Sequence, residues 1–163
     1  MIIYGETDLT GFDITNFEIL QVNSLVTLTN DQFNGFTHID GDGTSVLHIV
    51  SPDDDPIIID LSDKEITDVT ILNIDGDVEV IISDISDLAG IGAIEATGTV
   101  TIILADDANV NLSDLAAVFP SIDAIEVQED ATLTLDDETS VEDTGLTEIT
   151  GDGTIIVSDV AGP

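Results

Sequence analysis

Short stretches in which aliphatic residues recur with period two run the length of the chain, each broken by a tight cluster of Asp, Gly, Thr or Ser. Six of them start at Leu20-Gln21-Val22, Ile39-Asp40-Gly41, Leu72-Asn73-Ile74, Ile94-Glu95-Ala96, Ile125-Glu126-Val127 and Ile149-Thr150-Gly151. Past a small-residue corner each is followed by a second: Val26-Thr27-Leu28, Val46-Leu47-His48-Ile49, Val78-Glu79-Val80-Ile81-Ile82, Val100-Thr101-Ile102, Leu133-Thr134-Leu135 and Ile155-Ile156-Val157. Alternation with period two sends the aliphatics to one face and Thr, Glu or His to the other, the signature of strands half-buried against a core. Corners such as Asp40-Gly41-Asp42-Gly43, Asp75-Gly76-Asp77 and Thr150-Gly151-Asp152-Gly153 supply positive φ and side-chain-to-backbone bonds for sharp turns.

A strand, corner, strand unit recurring along the chain predicts an all-β, β-rich fold: a right-handed parallel β-solenoid with short helical turns. A leucine-rich-repeat-like coil, strand on one face and helix on the other, is the close variant. The pair Gly-Thr recurs 55 residues apart, at Gly43-Thr44, Gly98-Thr99 and Gly153-Thr154, and the six anchors are separated by 19, 33, 22, 31 and 24 residues. Short and long coils therefore alternate in this reading, six in all. Residues 1–163 form one domain of three double-coil repeats of about 54 residues, one of them split across the termini. The long coil carries an extra piece, at Asp8 to Phe12, Asp60 to Asp63 and Leu112 to Phe119. The last is predicted helical, with Ser113 as N-cap and Pro120 as stop, and a shorter helical turn is expected over Ser86 to Ala89.

Composition sharpens the picture. There are 35 acidic residues against one base, Lys64, a formal charge of −34, yet 42% of residues are hydrophobic, so the chain folds rather than joining the disordered class. One lysine and no arginine exclude nucleic acid as a partner, and no apolar run approaches the roughly 18 residues of a membrane insertion. Met1-Ile2-Ile3-Tyr4 lacks the basic start of a secretory leader, so export would use a leader removed or lying elsewhere, or another route. Cysteine is absent. Self-repulsion at this charge needs screening by salt or divalent cations, which favours an extracellular or cell-surface setting.

Solenoids usually shield their ends with polar caps, but here Met1 to Tyr4 is apolar and the strand Thr154 to Val157 lies close to the C-terminus. The function expected is therefore a structural subunit stacking head to tail with itself into a filament or surface fibre. Ile2, Ile3 and Tyr4 meet Ile155, Ile156 and Val157 at the junction.

Leu146 to Thr154, Ala131 to Leu135 and Leu112 to Ala117 resemble the degenerate Asp/Thr/Gly-rich repeats of large bacterial secreted surface proteins, adhesin-like and often accompanied by RTX regions. The resemblance implies an extracellular structural or adhesive role, commonly with calcium, and gives the alternative reading: a calcium-stabilised repeat segment excised from a large adhesin. The glycine-rich RTX nonapeptide is missing, so β-roll calcium sites do not carry over. Candidate calcium ligands are the clustered carboxylates Asp40, Asp42, Asp53, Asp54, Asp55, Asp75, Asp77, Asp106, Asp107, Asp136 and Asp137, since calcium takes six to eight oxygens. No organic cofactor is expected. His38 and His48 lack Cys partners and read as outward strand residues, not a transition-metal site. Acid pairs arise everywhere among 35 carboxylates, aromatic sugar platforms are nearly lacking, and neither His sits in a nucleophile setting, so no enzyme is expected.

Overall fold

The computed structural model describes residues 1–52, 55–136 and 145–158. Strands follow one another as β1 (Ile2–Ile3), β2 (Thr7–Asp8), β3 (Ile19–Val22), β4 (Leu25–Thr29), β5 (His38–Val50), β6 (Ile57–Asp60), β7 (Glu65–Asp75) and β8 (Val78–Ile82). The series continues through β9 (Ile91–Ala96), β10 (Val100–Leu104), β11 (Asn109–Asn111), β12 (Ala124–Val127), β13 (Thr132–Asp136), β14 (Glu148–Gly151) and β15 (Thr154–Ser158). Every strand pair among the described residues is parallel. The protein is a parallel β-solenoid of about seven turns, as the alternating pattern predicts.

The turns are more even than the sequence anchors imply. Stacked partners lie 19 residues apart at Leu20 and Ile39, 21 at Val26 and Leu47, 22 at Leu72 and Ile94, 23 at Ile102 and Ile125, and 27 at Ile39 and Ile66. The expected alternation of short and long coils arises because the anchors do not share a side of the column. Leu72 stacks on Leu47 rather than Ile39, and Ile125 on Ile102 rather than Ile94.

Each turn visits three sides. The first holds β1, β3 and the opening halves of β5 and β7, then the 85–90 segment, and by the coil spacing β11, β13 and β15. On the second lie β2, β4, the closing halves of β5 and β7, and β9, whose outer edge meets residue 118 through Ile94 N–H to the Val118 carbonyl. The third is β6, β8, β10, β12 and β14. Gly43 occupies the corner between first and second sides, Gly98 the second-to-third corner and Gly153 the third-to-first. The 55-residue period is thus two turns plus one side. Gly43 is needed for its conformation (φ +79°), whereas Gly98 is needed for space: a Cβ there would collide with the Asp77 carboxylate in the corner below.

Inward aliphatics form continuous ladders. Ile59, Val80, Ile102 and Ile125 on the third side, and Val26, Leu47, Leu72 and Ile94 on the second, are essentially inaccessible. Burying each such side chain contributes about 1.5–3 kcal/mol. Among the described residues helix is confined to single turns. α1 (Asn30–Asn34) has a capping box, Thr29 Oγ1 accepting from Gln32 N–H while Gln32 Oε1 accepts from Thr29 N–H; the strand-and-corner pattern does not predict this helix. α2 (Leu112–Ala116) starts earlier than expected, with Asn111 rather than Ser113 in the N-cap position and no side-chain capping bond, because Leu112 itself must reach the core. A 3₁₀ turn covers Ile85–Leu88, close to the expected site. These single turns fill positions where a side lacks a strand. The helix-per-coil leucine-rich variant is not the arrangement found. The segments at Asp8 and Asp60 are not helical either: each carboxylate accepts from the N–H and hydroxyl of Thr10 or Ser62 in a tight turn.

Candidate functional site

The outer surface solves a problem that the charge poses. In a parallel in-register stack, residues on neighbouring turns sit roughly 4.8 Å apart, so aligned acids would repel all along the axis. Along the paired strands no acid is the register partner of another, although at the corner between the third and first sides Asp106 and Asp107 stand one turn from Glu129 and Asp130. Asp40 lies between Gln21 and Thr67, Glu79 between Ile58 and Thr101, and Glu126 between Ile103 and Thr150. Asp8 faces Thr27, Glu65 faces His38, Glu95 faces Asn73 and Glu148 faces Ala124. Several of these pairs bond: Thr67 Oγ1 and Gln21 Nε2 donate to Asp40 at 2.8 and 3.1 Å, and His38 Nδ1 lies 3.2 Å from Glu65.

Other carboxylates tie corners together. Asp42 Oδ1 accepts from the N–H and hydroxyl of Thr44, and Asp77 Oδ1 accepts from both donors of Thr99 on the next turn at 2.8 and 2.9 Å. These bonds favour the charged form. The Thr99 N–H and then its hydroxyl hold Asp77 below the usual carboxylate range, the two donors of Thr44 with Ser45 do so for Asp42, and Thr67 with Gln21 for Asp40. Asp75 accepts from Thr97 Oγ1 at 3.1 Å. Of the remaining calcium candidates, Asp55, Asp106 and Asp107 are exposed, Asp107 in a left-handed turn (φ 67°). Asp53, Asp54 and Asp137, and the Asp136 side chain, lie outside the described residues. Among the described residues no three His, Asp or Glu side chains converge as a metal-binding group.

Lys64 is structural. Its ammonium donates to the carbonyls of Asn34 and Phe36 at 3.0 and 2.8 Å, at and just past the end of α1, and stands 5.4 Å over the Phe33 ring. Burial pulls its pKa down, with Asp60 and Asp63 opposing. Side-chain amides also close edges: Asn34 donates to the Ile58 carbonyl and accepts from Asp60 N–H, copying a strand along β6, while Gln32 donates to the Leu9 and Phe12 carbonyls.

The two ends of the column differ from its flanks. Ile155 and Val157 point inward, continuing the ladders of Leu133 and Leu135. Leu133 is fully buried, but Ile155 is 47% and Val157 68% exposed. At the other end Ile3 faces inward on the core and Leu9 is buried, with Met1 packed beside them. The predicted junction residues thus separate into inward Ile3, Ile155 and Val157, outward Ile2 and Ile156, and Tyr4 at a corner, 76% exposed. Among the described residues β1 and β2 pair on one edge only, with β3 and β4, and β14 and β15 pair only with β12 and β13. Comparison with known protein families, with curated proteins and with solved structures finds no match for this chain.

Proposed function

We propose that this protein is a structural element that extends by stacking: the last turn of one copy receives the first turn of the next, making a head-to-tail filament. The observation that carries this reading is the inward-facing pair Ile155 and Val157, oriented as core residues yet about half to two-thirds exposed. A further turn above β15 would bury them, contributing on the order of 2 kcal/mol from these two side chains, and would pair the open edges of β14 and β15. The −34 charge suits a surface fibre in an extracellular medium, where salt and millimolar divalent cations screen repulsion between fibres.

Light scattering and negative-stain electron microscopy of the purified chain test it. Filaments that shorten with Val157→Asp or Ile3→Asp are expected. Monodisperse short rods at every concentration would overturn the reading and favour the alternative, a segment of a longer adhesin-like array.

A further inference from the structure

We infer that successive copies join with a rotation of one side, β1 of the incoming copy stacking on β14 and its β2 on β15. This rests on the head-to-tail reading and specifies its register. All pairing in the column is parallel, so a new turn must enter with the same chain direction, and two consecutive strands around one corner must meet two others. At the start of the chain the consecutive end strands occupy the first and second sides; at the finish, β14 and β15 occupy the third and first. Among the described strands, only a turn by one side brings pair onto pair.

The spacing agrees. Ile3 and Thr7 stack on Val22 and Val26, so inward positions of the first turn are 1, 3, 7 and 9. Inward positions at the finish are Ile149, Gly151, Ile155 and Val157. From 3 to 9 and from 151 to 157 is six residues in both cases. Met1 then meets Ile149, Ile3 meets Gly151, Thr7 meets Ile155 and Leu9 meets Val157. Outward rows bring Ile2 to Thr150, Glu6 to Thr154 and Asp8 to Ile156, so the interleaving of acids with neutral residues continues unbroken across the junction. A slip of two residues one way sets Glu6 on Asp152; the other way it lays β1 against a corner.

Cysteine pairs read the register directly, because the chain has no cysteine of its own. In an Ile2→Cys, Thr150→Cys double variant the two sites are at opposite ends of one molecule and adjacent across the proposed junction, within the Cα separation a disulfide spans. Mild oxidation should give a ladder of covalent oligomers on non-reducing gels, absent for the slipped pair Tyr4→Cys, Thr150→Cys. A ladder from Ile2→Cys, Ile156→Cys instead would mean docking without rotation and would overturn the inference. So would filaments by microscopy with no ladder from the 2/150 pair. Monomers alone, with neither filament nor ladder, would overturn the head-to-tail reading as well. Independently, Ile156→Asp should weaken association about fivefold at low salt without altering the circular dichroism spectrum, and adding Asp8→Asn should restore it; no restoration counts against the register.

Discussion

Replacing Thr101 by Glu puts a carboxylate directly above Glu79, its register partner on β8, while the partner on the other edge, Ala124, stays neutral. The two charges would lie roughly 4.8 Å apart. Their repulsion is about 0.9 kcal/mol in bulk water and about 3.5 kcal/mol at an effective dielectric of 20. Glu79 and Thr101 are both half-exposed and extend toward solvent, so the lower bound governs and about 1 kcal/mol is expected. In 1 M salt the screening length of about 3 Å should reduce this to a few tenths. Thr101→Gln keeps the size and the strand position without the charge. Urea unfolding followed by circular dichroism should place the Glu variant below the Gln variant in low salt, with the gap closing in high salt and on adding Glu79→Gln. Equal midpoints for Glu and Gln in low salt, or no recovery from Glu79→Gln, would refute the argument that spacing of acids along the axis is what lets so charged a chain stack in register.

Lys64→Met should remove two charge-assisted hydrogen bonds to the Asn34 and Phe36 carbonyls and lower stability by about 1–3 kcal/mol, read from the urea midpoint; no loss would mean water replaces the ammonium freely. Gly98→Ala forces a Cβ against the Asp77 carboxylate and the Gly76 backbone, and an overpacking cost of about 1–3 kcal/mol is expected in thermal unfolding. Asp77, held low by Thr99, contributes stability that is present above the unfolded carboxylate value near 3.9 and lost as pH falls through its lower folded value. Asp77→Asn should therefore be less stable than the parent at pH 6 and converge with it in acid; a gap independent of pH would assign the effect to packing.

The strands and corners were legible because period-two alternation and Asp-Gly clusters have direct backbone consequences. Which side of the column each strand occupies was not. The same six-residue step from one inward anchor to the next recurs at Leu20 to Val26, Leu72 to Val78, Ile94 to Val100 and Ile149 to Ile155, and these fall on all three corners. A local pattern identical at every corner carries no label for the corner, so the 55-residue period read as two coils when it spans two turns and one side. α1 is marked in the sequence only by Thr29 with Gln32 three residues on, a capping box set inside a strand-like stretch. Asp42 belongs to the clustered carboxylates that suggest calcium, and like Asp8, Asp60 and Asp84 it also has a Thr or Ser donor two residues on, and each of the four is used that way. The long-range partner of Asp77 could not be read, since Thr99 approaches it only through the stacking of turns.

Charge and length together bear on how cations act. A charge of −34 spread over about seven turns of roughly 4.8 Å gives about one charge per Å of axis, denser than the roughly one per 1.7 Å of duplex DNA. Such a column gathers a condensed layer of counterions along its whole length, and that layer responds to valence, not to ligand geometry. A coordinated calcium site behaves otherwise, because calcium accepts six to eight oxygens in flexible geometry while magnesium demands a near-ideal octahedron and dehydrates reluctantly. We therefore expect calcium and magnesium to raise the thermal midpoint equally at equal concentration, with sodium matching them only at much higher concentration. A calcium step that magnesium fails to reproduce would break this equivalence and mark a coordinated ion, whereas equal curves would mean that the acids act collectively, as a uniformly charged rod whose described strands stack with no two carboxylates paired in register along them.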